Sequence, residues 1–134
     1  MSHLLHLDRT LEELEDFRWP PPGDTTYLVT KVHALRRRPL GTLTPEDLRT
    51  LIAQSVGLPF LLPIAMEVLR QDPLTDARFY EGDLLEVVLS TDAGVWALFP
   101  DLAGELRGVV QQLTGLPGHL RREADGFLER TAVL

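Results

Sequence analysis

The sequence contains no cysteine, which excludes disulfides, thiolate zinc sites, Fe–S clusters and a cysteine nucleophile. No apolar run reaches the roughly 18–20 residues that a membrane-spanning helix needs. The first ten residues, MSHLLHLDRT, have no basic start, no continuous apolar stretch and no small-residue cleavage site, which argues against a secretory signal. We therefore predict a cytoplasmic protein without membrane contact.

Short motifs of common catalytic chemistry are also missing. The sequence has no H-E-x-x-H metal motif, no glycine-rich phosphate loop and no G-x-S-x-G nucleophile elbow. His3 and His6 have the spacing of two ligands on one helix face, but no third ligand is evident. These absences predict a protein with no catalytic residues, no metal site and no cofactor.

What the chain does have is the composition of an ordinary globular protein, with 134 residues of which 44% are hydrophobic and 25% charged. A chain of this length buries about two-thirds of its unfolded surface and needs no covalent cross-links. No useful stretch alternates with period two, whereas apolar residues recur at helical spacing along most of the chain. We predict an all-α fold, a compact bundle of about six or seven short helices joined by Pro/Gly turns, forming one domain over residues 1–134.

Cap and breaker residues predict where these helices begin and end. Thr10 and Glu13 have the form of a capping box within a helix in residues 4–17. The Pro-Pro-Pro-Gly turn at residues 20–23 then makes residues 1–19 an N-terminal helical arm. Thr44 begins a third helix, which Gly57 is placed to close.

The next stretch, residues 58–71, is broadly apolar and predicts a central buried helix. We expect Pro63 in its first turn, because a later proline removes a backbone hydrogen bond. Asp83 and Glu86 predict another helix start, so residues 84–89 are interpreted as helix rather than strand. The expected core residues on the third and fourth helices are Leu51, Leu61, Leu62 and Val68.

The charge is acidic and segregated, with 13 basic and 20 acidic residues giving −7. An acidic chain is a poor general binder of nucleic acid, because phosphate contacts need a cationic face. Residues 25–43 contain four basic residues and no acid, while residues 80–106 contain six acids and no base. The run Arg36–Arg38 fits the negative C-terminal end of a helix, and phosphate contact is the alternative.

The acidic segment, residues 80–106, is the predicted partner-binding face, with Tyr80 as an aromatic contact beside it. An ordinary solvated surface is the plain alternative, and some of the acids suit helix caps instead. A pair of these carboxylates in acid–base catalysis is another alternative. The candidate residues are Tyr80, Glu81, Asp83, Glu86, Asp92, Asp101 and Glu105.

Three stretches, residues 39–49, 51–63 and 72–85, resemble the immunity proteins of bacterial contact-dependent growth inhibition systems (the CdiI type). The most specific part is Phe-Tyr-Glu-Gly-Asp-Leu-Leu at residues 79–85, with Trp96 and Pro100 at suitable distances beyond it. The likeness covers about residues 10–100 and consists of helix caps, turns and core leucines.

The resemblance implies a small cytoplasmic protein that binds and neutralises the C-terminal toxin domain of a delivered effector. Such toxins are often nucleases with cationic clefts, which an acidic protein can occupy as a mimic of nucleic acid. The expected partner is then the cognate toxin domain, with no direct nucleic-acid contact. Two alternatives stay open: a non-catalytic helical interaction or regulatory module, and a small carboxylate-dependent enzyme.

Overall fold

The computed structural model describes residues 5–21 and 23–133, and within these it contains eight α-helices. The all-α prediction is confirmed, because the same residues contain no β-strand and only one isolated bridge, between Asp76 and Glu81. None of the described helices is long and apolar enough to cross a bilayer. The helices are α1 Leu11–Leu14, α2 Tyr27–Leu35, α3 Pro45–Ala53, α4 Leu58–Gln71, α5 Asp83–Leu89, α6 Ala93–Trp96, α7 Pro100–Gln112 and α8 Gly118–Arg130.

The core lies between α3, α4, α5, α7 and α8. Helix α3 packs against α2, α4 and α5, while α7 packs against α4, α6 and α8. Leu51, Leu61 and Leu62 are fully buried there, as predicted. Val68 is only half-buried and packs against the core from its edge. It is therefore a boundary residue and not one of the fully buried core residues.

Two predicted capping boxes form. The Thr10 hydroxyl accepts from the Glu13 N–H at 3.1 Å, and the Thr44 hydroxyl accepts from the Asp47 N–H at 3.2 Å. The helix expected within residues 4–17 is nevertheless only one turn, Leu11–Leu14. Residues before it hydrogen-bond to another segment instead, since the Leu7 carbonyl accepts from the Gly41 N–H at 2.8 Å. Residue 4 lies outside the described residues.

Gly57 begins α4 rather than closing α3. Its φ of +66° is a left-handed conformation that other residues rarely adopt, and a Cβ here would lie 2.7 Å from both methyl carbons of Leu11. Because α4 begins at Leu58, Pro63 lies inside the helix and not in its first turn as predicted. The missing Pro63 N–H leaves the Pro59 carbonyl without its helical donor.

The three arginines that follow α2 each contact a carboxylate of the chain itself. Arg36 caps α2, is 1% exposed and donates to the Glu15 carboxylate at 2.8 Å, with its guanidinium stacked on Trp19. Arg37 and Arg38 lie 3.4 Å from the carboxylates of Glu12 and Asp47. Arg36 lies at the end of α2 as predicted, but its side chain binds Glu15 and the Phe17 carbonyl rather than carbonyls of α2, and it thereby holds the N-terminal arm against α2.

Candidate interaction surface

The loop between α4 and α5 is organised by one buried carboxylate. Asp83 is fully buried and accepts from the backbone N–H groups of Ala77 at 2.7 Å, Arg78 at 3.1 Å and Phe79 at 2.9 Å. Its Oδ2 also lies 3.6 Å from Nε of Arg49 on α3. The carboxylate thus fixes three consecutive loop residues, and it is not exposed to a partner.

The helix predicted over residues 84–89 is confirmed as α5, but Asp83 is its first residue and not its N-cap as predicted. Gly82 occupies the N-cap position with φ +86°, and its N–H donates to the Leu74 carbonyl at 3.1 Å. A Cβ at Gly82 would lie 2.8 Å from a methyl carbon of Leu120 on α8. The glycine and aspartate of the Phe-Tyr-x-Gly-Asp motif therefore both have structural roles.

Opposing effects act on the ionisation of Asp83. Burial raises its pKa, because the charged form loses solvation. The three backbone N–H donors and the nearby Arg49 guanidinium favour the charged form more strongly, and they hold the pKa of Asp83 below its ordinary value of 3.8. The carboxylate is therefore ionised at neutral pH.

Tyr80 packs inward against α8, and only part of its side chain reaches the surface. Its ring meets His119 edge-to-face with centroids 5.3 Å apart, and His119 Nε2 lies 3.3 Å from a carboxylate oxygen of Glu86. Burial, followed by the hydrogen bond to Glu86, raises the pKa of Tyr80 to about 12. Tyr80 and Glu86 thus form a half-buried cluster with His119.

The remaining acids of the segment divide between different surroundings. Glu81 and Asp101 are exposed, and exposed Asp92 caps α6 by accepting from the Gly94 N–H at 2.9 Å. Glu105 on α7 receives both the Nε and an Nη donor of Arg70, at 2.6 and 2.8 Å. These contacts do not bring the six acids together as one cluster.

Phe79 is the exposed aromatic of this loop, whereas Tyr80, the predicted aromatic contact, is half-buried. Its side chain is 59% exposed. The Arg49 guanidinium lies 4.6 Å from its ring centroid and that of Arg78 lies 5.5 Å away, which are cation–π distances. Asp83 beneath and the arginines beside it hold Phe79 in place.

Besides the exposed Phe79, helix α2 presents exposed apolar side chains at its N-terminal end that were not predicted from the sequence. Tyr27 is 81% exposed, and Leu28 and Val29 are about half as exposed, at 41% and 39%. The signal was present, because three successive apolar residues point around a helix and cannot all face α3. Of the apolar residues at helical spacing on α2, Val32 and Leu35 are buried, whereas Leu28 is not.

A groove of about 300 Å³ separates this end of α2 from the loop. We call it the α2–loop groove. Its charge is mixed, because Glu46 lies 3.3 Å from Nζ of Lys31 and also pairs with Arg78. The hydrogen bonds from these two cations lower the pKa of Glu46, and the bond from Arg78 has the larger effect. The residues that define the groove are Tyr27, Leu28, Lys31, Arg49, Arg78 and Phe79.

A larger groove of about 590 Å³ lies beside α3, α5 and α6. Asp92 is the one carboxylate among the residues that line it, so this groove contains no pair of acids for acid–base catalysis. Within residues 5–21 and 23–133, no three potential ligands lie close enough to hold a metal ion. His3 lies outside the described residues, and His6 meets the Phe60 ring edge-to-face.

The structure defines an all-helical protein in which a buried carboxylate, Asp83, holds the loop that carries the exposed Phe79. The family model of CDI immunity proteins matches residues 13–106. This match covers more than half of the chain, which therefore belongs to the CDI immunity protein family, and the resemblance found in the sequence is confirmed. No curated protein matches the chain.

The matched residues include α2, α3, the 73–82 loop and most of α7, while α8 lies beyond them. Immunity proteins of contact-dependent growth inhibition have a toxin-neutralising role and a cognate toxin as partner, and the family is generally non-catalytic. Family membership thus assigns the class of function, and the residues that contact the partner are a separate question.

Proposed function

We propose that this protein neutralises the C-terminal toxin domain of a contact-dependent growth inhibition effector by stoichiometric binding, and that the toxin is a nuclease with a cationic cleft. The observation that carries the proposal is the exposed acidic edge of the fixed loop. Asp76 and Glu81 face each other across an isolated backbone bridge, and both side chains are exposed. The whole chain also carries a net charge of −7. The acidic loop edge therefore attracts a cationic surface.

In this proposal the predicted residues have different roles. Glu81, Asp92 and Asp101 are exposed and meet the partner, while Tyr80 and Glu86 lie at the half-buried rim beside His119. Asp83 acts by holding the loop in shape. The paired Glu105 is the least suited to recognition, because a new partner competes with Arg70 for its carboxylate.

Glu81→Lys is expected to slow association with the toxin domain several-fold at low salt. The substitution reverses an exposed charge on the loop edge, and charge at the rim of an interface acts mainly on the association rate. The difference in association rate should be smaller near 0.15 M salt, because charges separated by more than the Debye length of about 8 Å are then screened. Stopped-flow association rates of the purified proteins at several salt concentrations provide the measurement.

Glu129→Lys is the matched control, since Glu129 is exposed near the C-terminal end of α8. It lies ten residues beyond His119, or about 15 Å along a helix. Equal rates for Glu81→Lys and the wild type at low salt would exclude the loop edge from the encounter surface.

The neutralising role itself is tested by binding. The purified chain and the toxin domain encoded beside its gene should elute together as a 1:1 complex in size-exclusion chromatography. Separate elution at micromolar concentrations of both proteins would contradict the proposed function.

A further inference from the structure

The α2–loop groove combines exposed aromatic and aliphatic side chains in a way that a free surface rarely does. Tyr27 and Phe79 are both more than half exposed, and Leu28, which is 41% exposed, lines the same groove. A second groove of about 210 Å³ adjoins it and is lined by Trp19 and Val29, and Leu28 lines both grooves. Clustered exposed aromatics are the residue types that contribute most to protein–protein binding.

The groove has mixed charge with an excess of cations, whereas the whole chain is acidic. Three cations line it, Lys31, Arg49 and Arg78, against the single acid Glu46, while the chain carries −7. Lys31 and Arg78 share that one carboxylate between them. The buried Nε of Arg49 has no hydrogen-bond acceptor among the described residues, although Asp83 lies 3.6 Å away. Such a surface complements a carboxylate, not another cation.

The groove is also fixed before any partner arrives. Asp83 accepts a hydrogen bond from the backbone of Phe79, and the guanidinium groups of Arg49 and Arg78 lie over its ring. An aromatic that is already ordered loses little conformational freedom on binding, which favours its use in an interface.

We infer that the α2–loop groove docks a segment of the toxin domain that places an apolar or aromatic side chain next to a carboxylate. The apolar side chain packs between Tyr27 and Phe79, and the carboxylate pairs with Lys31 and Arg49. This inference rests on the proposed function for the identity of the partner. It adds an apolar contact surface, separate from the acidic loop edge that meets the cationic cleft.

The test is the affinity of the purified toxin domain for variants of the full chain, measured by isothermal titration calorimetry. Phe79→Ala is expected to weaken binding about 30-fold, the loss typical of a central interface aromatic, and Tyr27→Ala should also weaken it. Phe17→Ala is the matched control, because Phe17 is 60% exposed and lines neither groove. It should bind like the wild type.

A variant of Lys31 tests whether the docked toxin segment carries a carboxylate. Lys31→Gln should weaken binding several-fold at low salt, with a smaller difference at high salt, because it removes a cation facing the expected acid. Unchanged or tighter binding by Lys31→Gln would overturn the acidic character of the docked segment. Thermal unfolding of each variant shows whether the fold is preserved.

The outcomes separate this inference from the proposed function. If the wild type binds the toxin and Phe79→Ala binds equally well, the inference is overturned while the proposed function stands. If the wild type fails to bind the toxin, the proposed function and this inference are both overturned. If sedimentation shows a wild-type dimer that Phe79→Ala disrupts while toxin affinity is unchanged, the groove holds a second copy of the chain and the inference is overturned.

Discussion

Asp83→Ala is expected to lower the free energy of unfolding by about 3–5 kcal/mol, the usual cost of removing one partner from a buried charge pair. Asp83 is fully buried, accepts three backbone N–H groups and faces Arg49. Without the carboxylate, these part-buried donors and the Arg49 guanidinium lose their acceptor. Urea unfolding at neutral pH measures the loss.

The control for this prediction is Glu81→Ala, which changes an exposed acid two residues away and should alter stability by no more than about 0.5 kcal/mol. Asp83→Asn provides a second variant that keeps one acceptor oxygen, should the alanine variant fail to fold. Equal urea midpoints for Asp83→Asn and Glu81→Ala would contradict the role given to the buried carboxylate.

The contribution of Asp83 also has a pH signature. Its folded pKa lies below the ordinary value of 3.8, so the folded state favours the charged form and stability is gained above that pH. The contribution is lost as the pH falls from the ordinary value through the lowered pKa. The stability difference between wild type and Asp83→Asn should therefore be complete at neutral pH and shrink over this acidic range.

Leu62→Ala is expected to cost about 2–5 kcal/mol, the range found for large-to-small changes in protein cores. Leu62 is fully buried in the middle of α4, where the rigid neighbouring Pro63 limits how far the backbone can collapse into the cavity. Urea unfolding with an unchanged denaturant slope provides the measurement.

Leu98→Ala is the matched control for the core, because it makes the same change at a side chain that is 62% exposed. Its stability should stay close to that of the wild type. A Leu62→Ala variant as stable as Leu98→Ala would show that α4 is not packed at the centre of the core.

Local signals in the sequence were sufficient for most of the fold. Thr10, Thr44 and Asp92 each cap the helix that their neighbours predict, because a cap depends only on residues two or three positions away. Gly57 shows where such signals are ambiguous. A left-handed glycine between two helices suits the end of one and the start of the next. Here Ser55 takes the left-handed conformation after α3, with φ +57°, and Gly57 begins α4.

The candidate surface was harder to predict, because its features depend on contacts distant in sequence. The ring of Tyr80 packs edge-to-face against His119 on α8, whereas the side chain of Phe79 is exposed. Glu105 was counted among the available acids, yet Arg70, 35 residues earlier, takes both its oxygens. No local pattern distinguishes the inward aromatic from the outward one, or the paired acid from the exposed one.

Residues 80–106 do contain six acids and no base. This composition did not predict which of the acids are exposed in the fold. Asp83 belongs to that run, but three backbone donors supplied by the preceding loop enclose it. A carboxylate that looks like a helix cap in the sequence can instead organise the loop before it. Only the fold distinguishes these two uses.

Titration of the toxin's activity with the purified protein tests the central claim most directly. If the chain neutralises its toxin by stoichiometric binding, the activity of the toxin domain encoded beside its gene should fall linearly and reach zero at one equivalent. An excess of other acidic proteins should have no effect. Full toxin activity in the presence of several equivalents, at concentrations where both proteins are folded, would contradict the account.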